Sequence, residues 1–254
     1  MEYAVPQLTP TNVTPSQETP QPGVGKLKVY ESAASVAAVT IPQAIETPRL
    51  RRQRYSKNTI RQWLESLSDP YPEQYVSFHD DHLEFDHVCA GAKHHHWWRG
   101  GMADHVKEMI GYSLDLYDLY PGDLKNIVTR DDIIIGCYLH DFAKIWMYEE
   151  ITEEDRERDP KRYHNQQIFR PLYGAFDIID EESKTLLELS RYGIVPSEMQ
   201  WSSVLFAEGG YSDRNFGING LTRVGNTVMA RNPLAVIVHM ADMYSSQILG
   251  RSLV

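Results

Sequence analysis

The chain has 254 residues, which is long for one domain and short for two, and its 42% of hydrophobic residues allows a sizeable core. Its formal net charge is -10, with 35 acidic against 25 basic residues, which disfavours a broad nucleic-acid surface but not a small phosphorylated substrate. The two cysteines, Cys89 and Cys137, have neither metal nor redox spacing, and no apolar run approaches the ~20 residues that span a bilayer, so we expect a cytoplasmic protein outside the membrane.

The N-terminal part of the chain lacks the periodic hydrophobic pattern of the rest. Residues 1–48 are rich in Pro, Thr, Gln and Ser, which predicts a disordered or extended tail, and the first six residues do not resemble a signal peptide. A basic run, Arg49 to Arg54, follows. We interpret it as a solvated linker, with a phosphate or nucleic-acid contact as the alternative. Residues 49–92 are thus predicted to be a basic linker and an N-terminal helical extension.

Hydrophobic periodicity predicts helices through most of the remaining chain. A long helix is predicted over 102–120, and the apolar run 133–139 predicts a buried helix that Asp131 or Asp132 caps and that continues to about 147. Further helices are predicted at 59–67 (Asn58 as cap, 69–72 as stop), 164–179, 181–192 (Asp180 as cap), 196–206 and 232–242, with irregular, charged or loop segments at 73–89, 149–163 and 211–231. Strand patterns are almost absent, so the predicted fold class is all-α.

Four ionisable residues stand inside these apolar helices: His105, His140, Asp141 and Asp242. Each one alone is explained by a hydrogen-bonded core histidine or by an aspartate that faces solvent. A buried histidine beside a buried aspartate is costly, however, unless the charges are paired or used. Two imidazoles and two carboxylates from three helices form a mixed nitrogen and oxygen set for one divalent cation. The pattern does not distinguish Mn, Mg, Co, Ni, Fe and Zn.

The order H…HD…D resembles the signature of the HD superfamily of metal-dependent phosphohydrolases. The segment from His95 to His105, HHWWRGGMADH, resembles the HHAYxGGLLEH of its bacterial 3′–5′ exoribonuclease branch, and HDFAK at 140–144 resembles HDIGK. The H-x-x-D at 239–242 resembles the ending of that branch. The resemblance covers about residues 93–247, so we assign 93–254 to an HD phosphohydrolase domain. It implies an HD-type helical bundle, a metal held by the four residues above, and hydrolysis of a phosphate ester by metal-activated water.

Neighbouring residues receive roles from the same resemblance and from their chemistry. Asp141, a ligand next to the activated water, is the first candidate catalytic residue. Lys144 is the second, because it would neutralise charge on the phosphoryl oxygens; a surface lysine is the alternative. Arg99 precedes a glycine pair and would reach a second phosphate. His95 and His96 are candidates for substrate contacts or metal ligation, with a solvated histidine cluster as the alternative.

The number of metal ions and the substrate are left open. Relatives with two metals place further histidines before the last aspartate; His164 is one candidate here, and Glu208 stands where a histidine pair is expected. A single ion and the net charge favour a nucleotidase or deoxynucleoside triphosphohydrolase acting on a small nucleotide, which is our main expectation. The HD-x-x-Lys form favours diesters, so a 3′–5′ exonuclease or cyclic-nucleotide phosphodiesterase is the alternative. A non-catalytic nucleotide-binding module is the second alternative, and the sequence leaves a homo-oligomer open.

Overall fold

Helices dominate the computed structural model, which describes residues 47–68, 70–92, 95–120, 122–163, 167–172, 174, 179–207 and 232–250. The α-helices are α1 Pro48–Tyr55, α2 Ile60–Glu65, α3 Tyr71–Asp80, α4 Gly101–Leu119, α5 Gly122–Lys125, α6 Arg130–Leu139, α7 Glu153–Arg158, α8 Glu181–Arg191, α9 Glu198–Leu205 and α10 Pro233–Tyr244. Turns of 3₁₀-helix cover Leu83–Asp86 and Phe142–Trp146, and a π-helical turn covers Ser245–Leu249. The prediction of an all-α bundle is confirmed. The predicted loop at 211–231 and residues 1–46 of the predicted tail lie outside the described residues.

Three helices, α4, α6 and α10, pack against one another and form the centre of the bundle. Each has a face of large apolar side chains that is removed from water, which is the main source of free energy for bringing helices together. The fully buried members include Val106, Met109, Ile110, Ile133, Ile135, Leu234 and Val238. The three helices that carry the predicted metal ligands are therefore neighbours in the core.

The ends of α6 differ from the prediction in a way that matters for the site. The N-cap is Thr129 and not Asp131 or Asp132. The Thr129 side chain accepts from the Asp132 backbone N–H, and the Asp132 side chain accepts from the Thr129 backbone N–H, which completes a capping box. The α-helix ends at Leu139, eight residues before the predicted end, and His140 is its C-cap. The chain then tightens into the 3₁₀ turn Phe142–Trp146, which brings Lys144 back beside Asp141.

The basic run is helical and does not form the solvated linker that we expected. Residues 48–55 form α1, which begins after the N-cap Thr47 and lies against α4. Arg51 donates to the Tyr244 hydroxyl at 2.7 Å, and Arg54 donates to the Asp115 carboxylate at 2.9 and 2.7 Å. Their charges thus attach α1 to the rest of the bundle.

Two other segments also differ from the prediction. The segment that was predicted to stop a helix begins one, because Pro72 lies in the first turn of α3, where a proline costs no hydrogen bond. Likewise α2 is capped by Thr59 and not by Asn58. The predicted cap Asp180 is confirmed for α8, and α10 starts where predicted, with Asn232 as its N-cap.

A short antiparallel pair of strands interrupts the predicted helical pattern. β1, Tyr148–Glu150, pairs with β2, Phe169–Pro171, so part of the helix predicted at 164–179 is a strand. The cross-strand neighbours Glu149 and Arg170 form an ion pair at 2.8 Å. None of the described helices combines the length with the hydropathy that crossing a lipid bilayer demands.

Candidate metal centre

Three of the four predicted ligands, His105, His140 and Asp242, have ligand atoms within 4.8 Å of one another between α4, α6 and α10, and Asp141 lies beside His140. The Nε2 atom of His105 lies 3.3 Å from Nε2 of His140 and 3.3 Å from Oδ1 of Asp242. On the other side, Nε2 of His140 lies 3.1 Å from Oδ2 of Asp141. The side chain of His105 is fully buried and that of Asp242 is 20% exposed, so the cluster is closed at the core and open toward solvent.

The hydrogen bonds of the other ring nitrogens fix both histidine tautomers. His140 Nδ1 lies 2.7 Å from the carbonyl oxygen of Cys137, which can only accept, so Nδ1 carries the proton. His105 Nδ1 lies 2.9 Å from Oγ of Ser245, whose own proton is donated to Glu108 at 2.7 Å. Hence His105 also donates from Nδ1, and when neutral both rings present an Nε2 lone pair to the centre.

The electrostatics of the cluster keep its carboxylates ionised. Burial opposes the charged form of Asp141, but the charges of His140 and Lys144 outweigh it and hold its pKa well below the usual value. Burial likewise opposes ionisation of Asp242, whose pKa is nevertheless lowered by the adjacent His105. Desolvation lowers the pKa of His105 to about 4 despite the Asp242 carboxylate. For His140, desolvation is outweighed by Asp141, which raises the pKa.

This arrangement fits a divalent cation. Two imidazole lone pairs and two carboxylate oxygens would repel one another at about 3 Å if nothing positive lay between them. The donor set of two nitrogens and two oxygens suits first-row divalent metals, and a hydrogen bond that fixes the non-ligating nitrogen is the usual support of a metal-bound histidine. His105, His140 and Asp242 can therefore hold one divalent ion, with Asp141 beside them in contact with His140.

A cleft of about 400 Å³ opens beside the centre. Lys144 and His95 line it and link it to the centre, because Lys144 is ion-paired with Asp141 and the His95 ring lies 5.3 Å from the His105 ring. The polar and aromatic residues along the rest of the cleft are Tyr148, Arg162, Tyr163, Gln167 and Arg170. This volume is within the range of small-ligand pockets, and the cleft is locally basic although the protein is acidic.

Of the pair His95 and His96, which precedes α4, His96 lies in the core and His95 lines the cleft. His96 is fully buried, with Nε2 at 2.9 Å from Glu108 and Nδ1 at 3.2 Å from Nδ1 of His95. Both of its nitrogens are thus occupied inside the protein, and it does not line the cleft. Desolvation, with the charge of His105, lowers the pKa of His95 to about 3, so His95 is a neutral ring in the cleft.

Arg99 lies away from the cleft. Its side chain is 67% exposed and forms two hydrogen bonds to Glu150, at 2.7 and 2.8 Å. The predicted second-phosphate contact has no support in this geometry, because the guanidinium is already matched to a carboxylate on the surface. The candidate ligands of a second metal, His164 and Glu208, lie outside the described residues.

Three residues around His105 were missed by the sequence analysis: Glu108, Ser245 and Arg52. Glu108 is three residues after His105 and Ser245 is three residues after Asp242, so each lies on the same helix face as a ligand. That spacing is the one signal that could have identified Glu108 and Ser245, and Arg52 had none, because it reaches Glu108 from α1 through a tertiary contact. The cleft residues Arg162 and Arg170 had no comparable signal, because their positions depend on the β1–β2 pairing.

Comparison with known proteins finds relatives among bacterial exoribonucleases. The chain is similar to the 3′-5′ exoribonuclease YhaM of Bacillus subtilis, at 27% identity over 47% of this chain and 37% of that protein. The proteins of the same name from Bacillus velezensis and Listeria monocytogenes are 28% and 23% identical over the same shares. The chain therefore matches little more than a third of the length of these relatives. No family model matches it, and no solved structure gives a significant match.

Proposed function

We propose that this chain is a metal-dependent phosphohydrolase of the HD type that removes nucleotides from the 3′ end of RNA. The observation that carries the proposal is the meeting of two Nε2 lone pairs with the carboxylates of Asp141 and Asp242 within 3.3 Å contacts. When bound there, a divalent cation supplies an activated water and polarises a phosphoryl oxygen. The similarity to exoribonucleases favours the diester alternative over the nucleotidase that the sequence analysis preferred.

The residues of the site would have two roles: some would bind the metal ion, and one would neutralise charge on the phosphoryl oxygens. His105, His140, Asp141 and Asp242 would hold the ion. Lys144, which is half-buried and ion-paired with Asp141, would neutralise the negative charge that develops on the phosphoryl oxygens. Burial opposes its charge, but the Asp141 carboxylate raises its pKa, so the ammonium group is retained at neutral pH.

The residues that line the cleft favour a substrate strand whose terminal nucleotides enter it. Lys144, Arg162 and Arg170 place positive charge along it, which suits phosphates of a single chain. Part of this charge is balanced, since Arg170 is ion-paired with Glu149. Tyr148 and Tyr163 offer aromatic rings on which an unpaired base can stack. A cleft of about 400 Å³ is suited to the terminal nucleotides of a strand and not to a duplex.

The test is an assay of the full chain with Mn²⁺ on single-stranded RNA labelled at its 5′ end. We expect the 3′ end to be shortened stepwise with release of nucleoside monophosphates, and EDTA to stop the reaction. Asp141→Ala should bind no Mn²⁺ in calorimetry and have no activity, while its far-ultraviolet circular dichroism matches that of the wild type. Asp104→Asn is the matched control, because Asp104 is adjacent to His105 but pairs with Lys107 and Trp98.

Other substrates in the same assay decide between the alternatives. Hydrolysis of deoxynucleoside triphosphates or nucleoside monophosphates without shortening of RNA would replace the exonuclease by a nucleotidase. Mn²⁺ binding without turnover of any nucleotide, cyclic nucleotide or RNA would support a non-catalytic module. Calorimetry also gives the number of ions. If two bind, the candidate ligands of the second are His164, Glu208 and the pair His95 and His96, whose nitrogens lie within 4.8 Å of one another and of a His105 nitrogen.

A further inference from the structure

A buried carboxylate, Glu108, lies behind the metal centre and has no part in the chemistry described above. It is fully buried on α4, three residues after His105. An ionised carboxylate in the core costs several kcal/mol unless it is paired and hydrogen-bonded. The partners of Glu108 therefore decide what the buried charge can do.

The partners of Glu108 come from three separate parts of the chain. Its Oε2 accepts from Ser245 Oγ at 2.7 Å and from His96 Nε2 at 2.9 Å. Its Oε1 is ion-paired with Nε of Arg52, on α1. The carboxylate thus joins α1, the segment that precedes α4 and the π-helical turn that follows α10.

The bond to Ser245 determines what His105 can do. A hydroxyl has one proton, and here that proton goes to the Glu108 carboxylate, so Ser245 Oγ must accept the Nδ1 proton of His105. Without Glu108, the hydroxyl could turn and donate to His105, which would move the ring proton to Nε2 and remove the lone pair from the centre.

The surrounding backbone is built to keep this contact. His96 has a φ of +46°, which is unusual and costly for a residue with a side chain. A Cβ at Gly101 would lie 1.9 Å from the His96 carbonyl oxygen, and a Cβ at Gly250 would lie 2.7 Å from the His96 ring. Both glycines therefore permit the position in which His96 donates to Glu108.

We propose that Glu108 is a positioning residue that acts through Ser245 to fix the tautomer and orientation of the ligand His105, and that Arg52 of α1 balances its charge. The inference rests on the proposed metal centre. It extends the functional unit beyond the region that resembles HD proteins, because Arg52 lies outside residues 93–247. It also gives the basic run a role: one of its arginines supports the site from behind, and none is needed to contact nucleic acid for this.

The variants Ser245→Ala and Glu108→Gln test the inference in the full chain. Alanine removes the hydroxyl. In glutamine, the one remaining acceptor oxygen faces the Arg52 guanidinium, which leaves an amide NH₂ that cannot accept from Ser245 and His96. Loss of such a supporting group typically weakens metal binding by about 10–100-fold, and we expect this for both variants in Mn²⁺ calorimetry. The double variant should lose no more than the weaker-binding single variant, because both act through one hydrogen bond.

The matched control is Asp115→Asn, which breaks the ion pair between Arg54 of α1 and the same helix α4 without touching Ser245. It should bind Mn²⁺ as the wild type does. In the metal-free protein, ¹⁵N NMR of the imidazoles should find His105 protonated at Nδ1 in the wild type and in Asp115→Asn, and a mixture of tautomers in Ser245→Ala. If Glu108 served only the packing of α1, neither the Mn²⁺ affinity nor the His105 tautomer would change in Ser245→Ala.

The outcomes separate this inference from the proposed function. Wild-type affinity in both Ser245→Ala and Glu108→Gln overturns the positioning role and leaves the metal centre intact. An equal loss in Asp115→Asn also overturns it, since the docking of α1 would then be the cause. A wild-type chain that binds no divalent cation removes both the centre and the support proposed for it.

Discussion

At the scale of single residues, the role of Lys144 depends on its partner, Asp141. It is ion-paired with Asp141 and lines the cleft, so one group touches both the metal centre and the space for substrate. In a cation site, a nearby ammonium group weakens metal binding, because like charges repel. If Asp141 is a metal ligand, as proposed, the position of Lys144 beside it fits negative charge that would arrive with the substrate.

Lys144→Gln separates these two effects. We expect turnover of RNA to fall by about 10²–10³-fold, the usual effect of removing one group that stabilises transition-state charge, with Mn²⁺ affinity unchanged or higher. Initial rates and calorimetry on the same preparation measure both. Lys107→Gln is the control, since Lys107 makes the equivalent pair three residues from Asp104 and does not line the cleft. Loss of Mn²⁺ binding in Lys144→Gln would show that the lysine maintains the site and does not act on substrate.

The same scale explains which site residues the sequence could reveal. His105, His140, Asp141 and Asp242 are the residue types that bind metals, placed in apolar helices, and the structure brings them together. Glu108 shares the helix face of His105, but its residue type did not single it out, because a glutamate on a helix is ordinarily exposed. Its burial depends on a distant partner, Arg52, and no local pattern contains that information.

At the scale of elements, helices with a long, regular hydrophobic pattern were predictable, whereas the C-terminal end of α6 and the short strands were not. α4 begins within one residue of its predicted start because its apolar positions recur over five turns. The helix α6 ends earlier than its hydrophobic pattern predicts, because the His140 ring donates a hydrogen bond to the carbonyl oxygen of Cys137. β1 and β2 have three residues each, too few for an alternating pattern to show. The docking of α1 likewise depends on a tertiary contact, the Tyr55 ring lying on Gly111.

Gly111→Ala tests that contact between α1 and α4. A Cβ at Gly111 would lie 2.1 Å from the buried Tyr55 ring, so α1 must move, and overpacking of this kind costs about 1–3 kcal/mol. We expect a lower urea midpoint of unfolding and faster proteolysis of α1, although alanine has a higher helix propensity than the glycine that it replaces in α4. Gly122→Ala is the control, because nothing lies within 4 Å of its Cβ. Equal or greater stability of Gly111→Ala would contradict the observed docking of α1.

At the scale of the whole molecule, the core is continuous across the predicted boundary at residues 92 and 93. Phe78 of α3 is fully buried, and its ring lies 4.6 Å from that of Phe142 and 6.4 Å from that of Tyr138. Phe142 follows the ligand Asp141 directly. The division of the chain at 49–92 stays a prediction, but in packing these residues support the turn that carries the proposed metal ligand Asp141.

Phe78→Ala measures how far the two parts fold as one. Truncating a fully buried phenylalanine costs about 3–5 kcal/mol, whereas Leu83→Ala, at a side chain that is 54% exposed, should change stability by less than about 0.5 kcal/mol. Because Phe78 contacts Phe142 beside the centre, the loss should appear in a single urea transition, the same by circular dichroism and by tryptophan fluorescence. Mn²⁺ would stabilise wild type and variant by equal amounts, since no ligand is altered. Two separate transitions, with only one displaced by Phe78→Ala, would instead mean that residues 49–92 fold independently of the helices that hold the metal.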